Sequence, residues 1–358
     1  MSCCGRLRYT KGNNFGLGTK VVSFAGGKTQ FKELYTVRGF QASSEPIIHF
    51  GYGSLNTIDS LKIIWPNATY QVLKNVGINQ TLVIEPNETR AYDYKSLHAK
   101  EDPFFERVED NLGINFTHKE DGYTDFNRQK LIPYQLSDRG PATSIADINN
   151  DGKEDIFFGG SKFIPSETFI QQDSSYIRVR YPNLAKDSIK EDVTSILADF
   201  NKDGAIDLVI GSGGADFYGN SKPLTDSYYS FNKTDFETNS LPEFYDNASV
   251  IVPIDVDGDN DMDLFIGNQA VSSDFGKPAT SHLLINTDGK FTLSSKNPFE
   301  SLGMVTDAIA TDFNNDGTQD LIIVGEWMAP KFYRNEESNF VYTEQFKEDD
   351  LKGLWQSV

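Results

Sequence analysis

The chain has 358 residues, with 33 Lys and Arg against 52 Asp and Glu and a formal net charge of −19. Hydrophobic residues at 38% and aromatics at 13% supply buried cores for two or three domains and exclude the disordered and collagen-like classes. The negative charge sets nucleic acid and direct membrane insertion aside and favours cations; no apolar run reaches the roughly 18 residues of a membrane span, and Met1 to Asn14 holds no apolar stretch that could serve as a signal-peptide core.

The first elements predicted along the chain are strands. Cys3 and Cys4 are adjacent, which gives neither a disulfide framework nor a metal-ligand spacing, so a structural staple, if there is one, is bound metal. Residues 15–84 alternate as strands do: Leu61, Ile63 and Trp65 share one face of a strand over Ile58 to Trp65, Pro66-Asn67 marks a turn, and a second strand runs from Thr69 to Leu73. This predicts a small all-β domain. Residues 85–103, with Pro86, Asn87, Glu88 and Pro103, read as a linker, and 104–358 as a second all-β region.

In that second region one pattern recurs four times. Asp147, Asn149, Asp151 and Asp155 stand at offsets 0, 2, 4 and 8 of a nine-residue segment. The same offsets hold Asp199, Asn201, Asp203 and Asp207, then Asp255, Asp257, Asp259 and Asp263, then Asp312, Asn314, Asp316 and Asp320. The loops start at 147, 199, 255 and 312, so the period is 52 to 57 residues. A small or apolar run precedes each, and a β-branched or aromatic run ending at Gly159, Gly211, Gly267 or Gly325 follows. Three units continue through an apolar run, an Asn (Asn232, Asn286, Asn335) and a Phe (Phe236, Phe291, Phe340). Two hairpins per repeat make four strands, the content of a propeller blade.

The loop chemistry points to calcium. Alternating Asp and Asn side chains aim oxygens at offsets 0, 2 and 4, while Gly152, Gly204, Gly317 and, in the third loop, Asn260 allow the positive φ that turns a backbone carbonyl inward. The Asp at offset 8 closes the site. Thirteen of the sixteen side chains are carboxylates, and without a cation they repel one another. About four calcium ions are therefore expected, with magnesium or manganese fitting the flexible oxygen set less well. An EF-hand is excluded because its twelfth position must be Glu, and Phe158, Ile210, Ile266 and Ile323 stand there inside strand-like runs.

These loops resemble the integrin-α-type FG-GAP and VCBS repeat, and Phe158-Gly159-Gly160-Ser161 is similar to the motif that names it. Asn14 to Gly18, Arg38-Gly39-Phe40 with Ser43-Ser44, His49 to Gly53, Asp59 to Pro66 and Asn79 to Leu82 together resemble the ASPIC/UnbV domain. Their pairing resembles the cartilage acidic protein and UnbV-like family, including large surface proteins of Bacteroidetes-type bacteria. The resemblance implies an all-β fold, a partial β-propeller behind an ASPIC/UnbV-like domain, with four calcium-loop blades out of seven. Seven blades of about 55 residues need roughly 385, against 255 from Phe104 to Val358. Gly353 to Val358 aligns with Gly303 to Ala308, the strand before the fourth loop. A fragment of a larger bacterial surface protein, incomplete at the C-terminus and truncated ahead of the N-terminus, is the expectation.

Enzyme signatures are weak. Gly26-Gly27-Lys28-Thr29 lacks the earlier Gly of a P-loop, since Val22 stands there. His49, His98, His118 and His282 are scattered and read as packing or hydrogen-bonding residues, His118 with a structural role in Asn115-Phe-Thr-His118. Trp327, Trp355 and Tyr218 are expected in the inter-blade core, with a glycan or peptide surface as the alternative. Six N-x-[ST] sequons, at Asn67, Asn79, Asn87, Asn115, Asn232 and Asn247, read as surface asparagines. The sequence thus predicts a non-enzymatic, calcium-binding adhesion, recognition or scaffolding protein, secreted, at the cell surface or associated with an outer membrane, that engages a protein or glycan at a propeller face. The alternative is a polysaccharide lyase or hydrolase with its site in the propeller channel, which a cluster of His, Tyr and carboxylate facing that channel would support.

Overall fold

A computed structural model describes residues 2–37, 43–97, 104–105, 107–108, 112–345 and 351–358. Arg38-Gly39-Phe40, His98 and the end of the expected linker lie outside them. The chain divides into two compact units, Met1–Arg107 and Val108–Val358. No helix among the described residues is long and apolar enough to cross a membrane.

The first unit is built from eight strands: β1 (Ser2–Leu7), β2 (Lys20–Ala25), β3 (Lys28–Glu33), β4 (Ile47–Gly51), β5 (Thr57–Trp65), β6 (Thr69–Gly77), β7 (Gln80–Ile84) and β8 (Arg90–Ala91). They form a three-stranded sheet in the order β4-β1-β7 and a five-stranded sheet in the order β3-β2-β5-β6-β8. β1, ahead of the expected start at 15, runs parallel to β7 and antiparallel to β4, and β8, inside the expected linker, closes on β6. The alternation of β5 buries Leu61, Ile63 and Trp65 in one cluster with Leu7, Val21, Ile48 and Phe50, because side chains two apart on a strand share a face.

The second unit is all-β and propeller-like. Four antiparallel four-stranded meanders follow one another: β9 (Thr143–Ala146), β10 (Asp155–Phe158), β11 (Glu167–Gln171) and β12 (Tyr176–Val179); then β13 (Asp192–Ala198), β14 (Asp207–Ser212), β15 (Ser227–Phe231) and β16 (Phe236–Asn239); then β17 (Asn247–Ile254), β18 (Asp263–Ala270), β19 (His282–Thr287) and β20 (Lys290–Leu293); then β21 (Met304–Thr311), β22 (Asp320–Met328), β23 (Lys331–Asn335) and β24 (Phe340–Thr343). A short β25 (Gly353–Leu354) pairs with the end of β22. The first strands pack in succession, β9 on β13, β13 on β17 and β17 on β21.

Apolar clusters fill the spaces between successive sheets. Phe157 and Ile170 of the first sheet meet Leu208 and Tyr229 of the second, Val209 and Tyr228 meet Leu264 and Leu284 of the third, and Phe265 and Leu283 meet Leu321 and Tyr333 of the fourth. The second and third sheets are therefore apolar on both faces, which is why their strands read as continuous β-branched and aromatic runs rather than as alternations.

His282 opens β19 in such a space. Its ring stacks on Phe244 at 3.5 Å between centroids and 12° between planes, and neither ring nitrogen has a hydrogen-bond partner. Burial pulls the imidazole down to about 4, from 6.5 when exposed. A folded pKa below the unfolded one means that the unfolded chain takes up the proton first. Stability is then full above pH 6.5 and falls as pH drops toward 4, by about 3 kcal/mol in all at 1.36 kcal/mol per unit. Buried carboxyls such as Asp207 and Asp263, which burial raises to about 6, titrate in the opposite sense, so the limb should appear as the difference between urea-unfolding midpoints of the native chain and of His282→Phe on acid titration; no difference below pH 6.5 counts against His282 as its source.

Candidate functional sites at the two ends of the sheets

Each acidic segment joins the first strand of its sheet to the second, so all four loops lie at the same end of the second unit. In the first loop Asp147 takes the amides of Asp151 (2.9 Å) and Gly152 (2.7 Å), and Asn149 Oδ1 takes the amide of Asp151 (2.9 Å). Asp199 and Asp312 make the same bonds in the second and fourth loops, and Asp255 holds Gly258 and Asn260 in the third. Gly152, Gly204, Asn260 and Gly317 have the expected positive φ of 84°, 80°, 65° and 91°. The residue at offset 3 is also left-handed, at 59° in Asn150, 58° in Lys202, 78° in Gly258 and 60° in Asn315. Sequence reasoning missed this second left-handed residue, although Asn150, Gly258 and Asn315 carry the signal and Lys202 alone does not.

The Asp at offset 8 has a dual position. Asp155, Asp207, Asp263 and Asp320 are fully buried, and each accepts an amide from the third strand of its own sheet: Gln171 (2.8 Å), Phe231 (3.2 Å), Asn286 (2.7 Å) and Asn335 (2.9 Å). Ile148, Phe200 and Val256 donate to the second oxygen of the first three, whereas Oδ2 of Asp320 is buried without a partner. Burial pushes Asp207 and Asp263 up to about 6 against the amides that hold them down. In the third loop carboxylate oxygens of Asp255, Asp257 and Asp263 gather within 4.8 Å of one another. In the other three, Asn149, Asn201 and Asn314 replace Asp257 and donate their amides to Asp151, Asp203 and Asp316 at 3.1, 3.1 and 2.8 Å. The gathered carboxylates and the orphaned Asp320 oxygen fit a hard cation with oxygen ligands.

Two asparagines tie the second and third loops, one each, to the following sheet. Asn286 Nδ2 donates to Phe200 O of the second loop at 2.8 Å and to Met262 O at 3.1 Å; Asn335 Nδ2 reaches Val256 O of the third loop at 2.9 Å. Their recurrence after the third strand was the available signal. Asn286→Ala orphans two carbonyls, so we expect a loss of about 2 to 4 kcal/mol in calcium-free urea unfolding, and a loss below about 0.5 kcal/mol would show that the clamp is idle. Asn232, third in that series, is exposed: its Oδ1 accepts the amides of Thr234 and Asp235 and its Nδ2 donates to Glu237 at 2.6 Å, so it stays within its own hairpin.

The opposite end carries a different surface. Residues 115–139 run across the connections between second and third strands: Lys162 pairs with Asp121 at 3.1 Å, Arg128 reaches Ser273 at 3.0 Å, Gln129 accepts the Phe275 amide at 2.9 Å, and Tyr134 bridges Gln269 (2.6 Å) and Glu326 (2.5 Å). Tyr218, Trp327 and Trp355 are not core: they are 57%, 53% and 38% exposed. The inter-sheet spaces are already filled by strand residues, and Tyr218 and Trp327 lie beyond them at the strand ends. Arg128 covers the Tyr218 ring at 4.3 Å, and Phe275 meets Trp327 edge-on at 5.7 Å.

At this same end His118, Glu120 and Glu191 come together, with ligand atoms within 4.8 Å. Glu191 directly precedes β13, and Gly140 lies just ahead of β9. A Cβ at Gly140 would stand 2.8 Å from His118 Cε1, 3.0 Å from Nε2 and 3.4 Å from Glu191 Oε1, so only glycine lets the imidazole lie against this backbone. Burial, and then the Glu120 charge, push the Glu191 carboxyl up to about 9. The sequence read His118 as structural; the structure sets its ring against Glu120 and Glu191, and the i, i+2 spacing to Glu120 was the only local sign of that grouping.

Residues 9–91 match the family described as ASPIC and UnbV. Cartilage acidic protein 1 of Mus musculus is 30% identical over 139 residues, 37% of this chain and 21% of the relative, and that of Homo sapiens is 30% identical over the same length, 37% of this chain and 20% of the relative. The chain spans about a fifth of the length of these curated relatives. Among solved structures, a fucose-specific lectin from Aleuria aurantia aligns with 83% of this chain and 77% of its own at 8% identity and a TM-score of 0.41. An Agrocybe aegerita lectin, described as recognising non-reducing terminal N-acetylglucosamine, aligns with 90% and 88% at 13% identity and a TM-score of 0.31.

Proposed function

We propose that this chain is a calcium-stabilised, non-catalytic recognition module whose second unit binds a protein or glycan through the end opposite the acidic loops. The observation that carries this reading is the exposure of Tyr218 and Trp327 there, the first on the connection from β14 to β15 and the second at the end of β22, beside the 115–139 segment. Aromatic faces held on a rigid support present binding area at low entropic cost. The two ends then divide the work: Asp147, Asp199, Asp255, Asp312 and their loop partners hold about four calcium ions and stiffen the sheets, while the far end meets the ligand. Weak oxygen-only calcium sites fill at the calcium levels found outside cells, which supports the reading of a secreted or surface-displayed protein. The acidic-loop meanders are, in this reading, integrin-α-type FG-GAP repeats within a longer surface protein.

Glycan microarrays probed with the calcium-loaded chain test the placement of the site. Trp327→Ala and Tyr218→Ala should each weaken glycan binding at least about tenfold, and equal binding by both variants would move the site elsewhere. If no glycan is retained, the same two variants are compared on protein ligands isolated by crosslinking. The alternative, a polysaccharide lyase or hydrolase, draws on the His118, Glu120 and Glu191 cluster; release of new chain ends from a polysaccharide, abolished by His118→Ala, would replace the non-catalytic reading.

A further inference from the structure

We propose that His118, Glu120 and Glu191 form a binding site for a first-row divalent transition metal of the zinc class, separate in place and in chemistry from the acidic loops. Three observations carry it. One imidazole nitrogen and two carboxylates converge within 4.8 Å, a donor set that borderline cations accept and that calcium, a hard cation, does not select. Glu191 is 6% exposed, and its Oε1 is buried with no hydrogen-bond partner, whereas buried carboxylate oxygens are ordinarily satisfied. That orphaned oxygen faces the cluster, since it and His118 Nε2 lie on the same side of Gly140. Nothing else near it fills the role: Glu191 Oε2 takes the Lys162 amide at 3.3 Å, and the Lys162 ammonium is held by Asp121 and Asp216.

The site is preorganised from three directions. Glu191 is fixed by the start of β13, His118 by Gly140 beneath it, and Glu120 by its hydrogen bond to His118 Nε2. A cation entering between them would replace that bond, coordinate Nε2 and one oxygen of each glutamate, and leave a fourth position for water, because His118 and Glu120 keep 19% and 21% of their side-chain surface open. Three protein ligands with an open position is the arrangement zinc adopts where it binds an exchangeable group. The inference stands whether the far end takes a glycan or a protein, and does not depend on the calcium reading.

Cobalt is the probe, because its visible absorption bands report nitrogen and oxygen coordination while sulfur ligation adds a near-ultraviolet charge-transfer band. The untagged full chain is stripped with EDTA, returned to about 2 mM calcium to occupy the acidic loops, and titrated with Co2+ and then Zn2+. One Co2+ per chain is expected, displaced by Zn2+ and not by further calcium. His118→Ala and Glu191→Gln should each weaken it at least about tenfold, and His49→Ala, at an exposed histidine of the first unit, should leave it unchanged. Glu191→Gln keeps the side-chain shape, and near-ultraviolet circular dichroism of each variant confirms its fold, so loss of metal is separable from loss of structure. Equal Co2+ uptake in both variants, or a sulfur band placing the ion at Cys3 and Cys4, overturns the site.

Discussion

Calcium should raise the melting temperature of the EDTA-stripped chain by more than about 20 °C. A ligand at a hundred times its Kd contributes about 2.7 kcal/mol, so four loops together contribute about 10 kcal/mol, and in a unit of this size each kcal/mol moves the midpoint by about 2 to 4 °C. Loops that hold their carboxylates together with neutral backbone and side-chain donors leave much repulsion unrelieved, and the third loop, with Asp255, Asp257 and Asp263 gathered, should gain most. Asp199→Ala and Asp312→Ala should each remove about a quarter of the gain. Both aspartates also accept loop amides, from Asp203 and Gly204 and from Asp316 and Gly317. The variants must therefore be compared with wild type in EDTA as well as in about 2 mM calcium, and the metal contribution is the difference between the two comparisons. No shift in wild type, together with no heat of calcium binding, would remove the metal from the acidic loops and leave them as plain turns.

Trp65→Ala should cost the first unit about 3 to 5 kcal/mol. Trp65 ends β5 with no exposed surface and stacks on Tyr9 with ring centroids 5.3 Å apart and planes 7° from parallel. Its Nε1 donates to Gln71 Oε1 at 3.3 Å, and Gln71 in turn accepts the Asn87 amide at 2.7 Å and donates to Glu85 O at 3.0 Å. Removing the indole therefore opens a cavity and unpairs one partner of a buried network, two effects that add. Trp65→Phe keeps most of the volume and should cost clearly less. Urea unfolding followed by hydrogen exchange of first-unit amides reads this out, because both variants remove the first unit's only tryptophan and Trp327 and Trp355 lie in the second unit. A cost below about 1 kcal/mol in Trp65→Ala would mean that the first unit does not depend on this packing.

The acidic loops and their flanking strands were legible because the information in them is local. Nine residues fix which oxygens can converge, and the positive φ of Gly152 or Asn260 follows from side-chain sterics at one position. The spacing of Asp147, Asp199, Asp255 and Asp312 then sets four similar units in a row, and the alternation in Ile58 to Trp65 sets which face of β5 is buried. The ASPIC/UnbV resemblance was local in the same sense, carried by short segments between 14 and 82.

What the sequence alone determined, then, is the class of fold, the repeat and the loop chemistry, each written within a few residues of chain. Only the tertiary structure decided which distant groups meet. His118 and Glu191 are brought together by the start of a strand in the next sheet, and no periodicity records that distance. Asn286 looks like an ordinary turn residue until the preceding sheet sets Phe200 O against it. Trp327 and Tyr218 have the composition of core residues, yet Phe157, Tyr228 and Phe265 already occupy the space between sheets, and packing density leaves no room for more. Burial is settled by competition for a fixed volume, and that competition exists only after the sheets have stacked.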